Sequence, residues 1–219
     1  MFLHGYLSSK ESFSYQIKFF SKFRRVIAPD LRGFGKSEKL DKSYSVEDYA
    51  NEVYNFLTEL DIKRYDIIAH SFGGRIAIKL ANIDKRLDKI ILTGSAGLKP
   101  KRTLKYYIKV YLYKILKRIL PKSKLKNFGS KEYRSLDPVM QKSYVKIVNY
   151  YQDNEAKNIL NKTLIINGEN DRETPLYTAR KFNKYVKNST LKIIKNAGHF
   201  AFIDDALTFN FLVREFLGE

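Results

Sequence analysis

Ala69-His70-Ser71-Phe72-Gly73-Gly74 lies between two different hydrophobic rhythms. Before it, Tyr65-Asp66-Ile67-Ile68-Ala69 is a short apolar run of strand length; after it, Ile76, Ala77 and Leu80 recur at helical spacing. A serine on such a strand-to-helix turn is held in strained geometry, with its hydroxyl exposed and backbone N–H groups close by. The turn crowds the neighbouring backbone, so small residues are needed two positions to either side, where Ala69 and Gly73 stand. These six residues favour Ser71 as a nucleophile. The competing reading is a plain helix N-cap.

Working outward, short apolar runs alternate with helical patterns, which predicts an α/β chain with a mostly parallel sheet flanked by helices. Strands are expected over 25–28, 65–69, 89–93, 163–166 and 190–194, the fourth closed by Asn167-Gly168. A helix follows Ser45, which with Asp48 three residues on forms a capping pair, and carries Val46, Tyr49, Ala50, Val53, Phe56, Leu57 and Leu60 at helical spacing. Two more are expected over 176–186 and 207–216. Between the third and fourth strands the rhythm breaks. There the spacing predicts a helix over 103–120, ended by Pro121, and another over 138–151. Residues 1–98 and 161–219 thus form the core, and 99–160 a helical cap or lid inserted into it.

A nucleophilic serine needs a base, and the chain has three histidines. His199, in Asn196-Ala197-Gly198-His199-Phe200, follows the last strand, at the carboxyl end where a parallel sheet places its functional groups. The base needs a carboxylate to fix its tautomer. Gly168-Glu169-Asn170-Asp171 follows the fourth strand; Asp171 is preferred and Glu169 is its competitor.

With these three in place the chain resembles the α/β-hydrolase superfamily, in the order Ser71, Asp171, His199. Four stretches carry the likeness: His4-Gly5-Tyr6, the run Ala28-Pro29-Asp30-Leu31-Arg32-Gly33-Phe34-Gly35-Lys36-Ser37, the serine turn, and Gly198-His199. The resemblance implies a serine hydrolase acting on an ester-type acyl bond of a small or lipid-derived substrate, by way of an acyl-enzyme. It also implies an oxyanion hole from the backbone N–H groups of Tyr6 and Phe72. His4 and His70 then read as structural. The same triad serves thioesters, lactones, amides and the carbon–carbon bonds of vinylogous diketones in related families. A non-catalytic binding protein on the same scaffold is the alternative from another class.

Members of that superfamily usually have two strands before the His-Gly loop, whereas here only Met1, Phe2 and Leu3 precede His4. The opening is shortened, and an upstream segment is the favoured expectation over a reduced fold with an exposed edge.

Other chemistries fare worse. Gly33-Phe34-Gly35-Lys36-Ser37 ends like a phosphate loop, but Asp30 stands where that loop needs its first glycine and Glu38 where a dinucleotide fingerprint needs its third. No cysteine is present and the histidines lack paired spacing, so no metal ligand set and no cofactor is expected. Zero cysteines fit a reducing, cytoplasmic setting.

The 41 Lys+Arg against 23 Asp+Glu give a formal net charge of +18. Residues 99–126 hold no acidic residue, and Lys101, Lys105 and Lys109 form a basic ladder beside the apolar stripe Leu104, Ile108, Tyr111, Leu112, Ile115 and Ile119. That stripe reads as a lid lining an acyl pocket. The sharper expectation is that residues 99–126 also make peripheral contact with anionic membrane. Nucleic acid is an unlikely partner, since no reading module accompanies the charge.

Overall fold

The computed structural model describes residues 1–101, 111 and 131–218. Strands β1 (Phe2–Leu3), β2 (Tyr65–His70), β3 (Leu87–Thr93), β4 (Lys162–Gly168) and β5 (Ser189–Ile194) form one five-stranded sheet. The strands lie in sequence order and every neighbouring pair is parallel. The helices are α1 (Ser14–Phe20), α2 (Val46–Glu59), α3 (Phe72–Ile83), α4 (Lys131–Ser135), α5 (Pro138–Val148), α6 (Asp153–Lys157), α7 (Leu176–Tyr185), α8 (Ala201–Asp204) and α9 (Ala206–Leu217). This is the α/β-hydrolase architecture the sequence implied.

Near-continuous apolar strands are what a sheet covered on both faces requires. Ile67, Ala69, Ile90, Leu92 and Ile165 pack into one cluster with Val53 and Leu57 of α2, Ile76 and Leu80 of α3 and Phe182 of α7. The intervening Ile68, Ile91, Leu164, Ile166 and Ile194 pack on the other face with Phe20 of α1 and Phe209 and Val213 of α9. A slip of one residue would exchange the two sets, so the pairing register is strongly fixed.

Helix α2 begins with the capping box expected at Ser45: its side chain accepts from the Asp48 N–H while Asp48 receives the Ser45 N–H at 2.7 Å. Asp137 caps α5 by accepting from Val139 and Met140 N–H, with Pro138 in the first turn, where no N–H is needed.

Two expectations change, and a third falls largely outside the described residues. The segment over 25–28 is not a strand. It makes one ladder-like hydrogen bond, Phe2 N–H to Ile27 C=O at 2.8 Å, because β1 offers only two residues to pair with it. Helix α5 stops at Val148, three residues before the expected end, with Asn149 as its C-cap. The helix expected over 103–120 lies outside the described residues except for Tyr111, which is exposed. The strand leading to the His-Gly loop is indeed short, and it lies at the sheet's edge. No helix among the described residues is long and apolar enough to cross a membrane.

Candidate active site

Ser71 joins β2 to α3 with φ 49° and ψ −106°, a left-handed conformation that costs a non-glycine residue free energy. The surrounding backbone over-determines it. The Ser71 N–H donates to Thr93 C=O at 3.2 Å, and the Ser71 C=O accepts from Gly74 and Ala96 N–H, each at 3.1 Å. Gly73 is required by close approach: a Cβ there would lie 2.3 Å from the Leu3 carbonyl oxygen. The N-cap alternative for Ser71 fails in one respect. The residue occupies the cap position, but its side chain makes no capping hydrogen bond.

Asp171 and His199 come from the loops after β4 and β5. Their loops approach so closely that a Cβ on Gly168 would meet the Gly198 carbonyl oxygen at 2.1 Å. His199 Nδ1 lies 2.9 Å from Asp171 Oδ2, so the Nδ1–H donates to the carboxylate and Nε2 is left as the basic nitrogen. Asp171 is further held by N–H groups of Glu173 and Thr174 on Oδ1, each at 2.9 Å, and by the Thr174 hydroxyl on Oδ2 at 2.7 Å. Burial pushes this carboxyl up, but the hydrogen bonds from His199 and Thr174 outweigh it and hold it below the usual carboxylate range. Glu169 does not compete: it accepts from Asn196 N–H on the exposed side of the loop.

Ser71 and His199 line one cavity of about 550 Å³ together with Gly5, Tyr6, Phe72 and Arg75. Neither the Tyr6 nor the Phe72 N–H is taken by a backbone carbonyl among the described residues. Phe72 opens α3, whose first N–H groups and dipole favour negative charge. The Tyr6 ring packs edge-on against Phe72 at 5.4 Å and Tyr144 at 5.2 Å, tying the His-Gly loop to α5.

Three residues of this site carried no signal of their own in the sequence. Thr174 locks Asp171. Glu173 places Oε2 3.3 Å from His199 Nε2, a contact favourable only to the imidazolium, while its side chain is 70% exposed. Arg75 was hidden inside the apolar helical pattern that follows Ser71.

His4 and His70 are built into the scaffold. His4 Nε2 accepts from Leu31 N–H at 3.0 Å, so its Nδ1–H donates to Gly5 C=O at 2.8 Å. His70 Nε2–H donates to the His199 carbonyl at 3.1 Å, steadying the loop after β5. Burial, aided by the neighbouring His199, pushes His70 down to about 3. The unfolded chain binds this proton below about pH 6.5, so folding excludes it in between. Stability is full above pH 6.5 and is expected to fall on acidification by up to about 1.4 kcal/mol per pH unit for this one group. Thermal unfolding followed from pH 7 to 4.5 checks this. His70→Gln should flatten the slope, and an unchanged slope would assign it to other groups, such as His4, which burial also holds low.

A parallel sheet carrying a strained serine and a carboxylate-bound histidine at its strands' carboxyl ends defines a hydrolase. The chain belongs to the alpha/beta hydrolase fold family, whose model matches residues 1–113 and 99–206. It is 30% identical over 221 residues to 2-hydroxymuconate semialdehyde hydrolase of Pseudomonas putida, covering 91% of this chain and 79% of that protein. Among solved structures it is similar to a meta-cleavage product hydrolase from Pseudomonas fluorescens, with TM-score 0.75, 23% identity and 99% and 89% of the two chains covered. An esterase from Exiguobacterium antarcticum gives TM-score 0.79 at 22% identity, covering 100% and 91%. The protein is an enzyme, a hydrolase of the alpha/beta fold.

Proposed function

We propose that this hydrolase cleaves an ester-type acyl bond of a small or lipid-derived substrate through an acyl-enzyme on Ser71. The observation that carries the reading is the joint placement of strained Ser71 and Asp171-bound His199 on one cavity. His199 Nε2 takes the Ser71 proton as Oγ bonds to the acyl carbon, and the oxyanion lies on the Tyr6 and Phe72 N–H groups. The protonated imidazole then gives its proton to the leaving alcohol. Water, deprotonated by the same nitrogen, attacks the acyl carbon and restores Ser71. Glu173 must leave Nε2 for the first transfer, and its exposure permits that.

A second reading is favoured by the Pseudomonas putida relative. A hydroxymuconate semialdehyde contains no ester, so hydrolysis of it breaks a carbon–carbon bond. Two experiments separate the possibilities. A fluorophosphonate should label Ser71 and leave the Ser71→Ala variant unlabelled. Turnover of p-nitrophenyl esters should then exceed that of 2-hydroxymuconate semialdehyde if ester cleavage is the main activity; the reverse order selects the carbon–carbon reading.

The reading includes residues 99–160 as a lid over the cavity and residues 99–126 as a peripheral contact with anionic lipid. Co-sedimentation with anionic but not neutral vesicles, weakened by salt and by Lys105→Glu with Lys109→Glu, is the expected result. Equal recovery in the supernatant with both vesicle types leaves only the lid.

A further inference from the structure

Arg75 stands one helical turn after Ser71 on α3, and side chains on a helix tilt toward its N-terminus. Arg75 lines the cavity that holds Ser71 and His199, with its guanidinium hydrogen-bonded to the Tyr150 carbonyl. The residue is buried, with 7% of its surface exposed. Such a charge is ordinarily paired with a carboxylate. Among the described side chains none lies within ion-pair distance of Arg75; its hydrogen bond goes from Nη1 to the Tyr150 carbonyl. Residues 102–110 and 112–130 contain no Asp or Glu, and the side chains of Glu132 and Glu219 lie outside the described set. The other acid on the cavity, Glu173, is turned to His199 instead.

Resting on the reading of Ser71 as the nucleophile, we infer that Arg75 is a specificity-determining residue that binds a carboxylate carried by the substrate. The guanidinium has donors beyond Nη1 with which to grip both oxygens of a carboxylate, and the start of α3 adds a favourable dipole. Burial lowers Arg75 to about 10, in keeping with a cation that lacks an anionic neighbour. A neutral ester would leave that charge desolvated and unmatched, so the cavity selects anions.

The test compares esters that differ only in charge. p-Nitrophenyl hydrogen adipate against p-nitrophenyl hexanoate places the carboxylate on the acyl half. 4-Butyryloxybenzoate against phenyl butyrate places it on the leaving group. Wild type should prefer the anionic member of at least one pair by about 10- to 100-fold in kcat/KM. Arg75→Gln should abolish that preference, read as a rise in KM for the anionic ester relative to the neutral one, and Arg75→Lys should retain part of it. Lys36→Gln, an equal charge change at an exposed site, should leave the preference intact. Preference for the neutral member of both pairs in wild type overturns the inference, as does an equal loss for both members in Arg75→Gln. Failure of Ser71 to take up the fluorophosphonate overturns the nucleophile reading instead. In that case calorimetric titration with adipate still reports on Arg75, with binding expected in wild type and lost in Arg75→Gln.

Discussion

Replacing Ser71 with alanine is expected to lower turnover by roughly 10^4-fold or more, and His199→Ala by about as much. The two act as a unit, since the base without a nucleophile and the nucleophile without a base both lack the same proton transfer. The double variant should therefore be scarcely worse than either single one. Stability should tell a separate story. The Ser71 hydroxyl makes no capping bond, so Ser71→Ala should stay within about 0.5 kcal/mol of wild type. Ser71→Gly removes the cost of a side chain at φ 49° and should be more stable by about 1 kcal/mol while equally inactive. Steady-state kinetics with denaturant unfolding of the same samples checks both halves. Additive losses in the double variant would show that the two residues do not share a step.

The second large effect is expected at Asp171. Asp171→Asn should cost on the order of 10^3- to 10^4-fold, less than loss of Ser71 or His199. An amide at this position offers N–H where His199 Nδ1–H needs an acceptor, so the favoured tautomer turns its proton toward Nε2 and the base is lost. Thr174 makes the effect specific. Its hydroxyl and N–H, with the Glu173 N–H, already donate to the two Asp171 oxygens and would face an amide nitrogen on one side. Thr174→Val should accordingly lower activity by only about 10-fold, the value of one hydrogen bond to a charged group. Glu169→Gln should be nearly silent, because that carboxylate holds the Asn196 N–H and not the imidazole. A larger loss at Glu169 than at Asp171 would transfer the role. The lowered Asp171 carboxyl also contributes stability that is present above the ordinary carboxylate range, near pH 4, and is lost as pH falls below it. Asp171→Asn should remove that acid-side component, measured as a smaller drop in unfolding midpoint between pH 4 and 3.

The sequence by itself determined the elements whose signals are local. Short apolar runs separated by helical spacing placed the strands of the parallel sheet. The Ser45 and Asp48 pair placed a helix start. The abrupt change from strand to helix around Ser71 marked the turn that strains it. The order of serine, acid and histidine, each just after a strand, was also legible, because a parallel sheet puts all such loops at one end. Only the tertiary structure decided the rest. Asp171 rather than Glu169 meets His199 because the loop after β4 folds back on the one after β5, over a distance of 28 residues in the chain. The expected strand over 25–28 pairs too little to become one, since strand character depends on a partner and β1 supplies two residues. Arg75 and Glu173 were not singled out by any pattern in the sequence. Burial and orientation, which are properties of packed neighbours, set one of them on the cavity with no ion-pair partner among the described side chains and the other against the His199 imidazole.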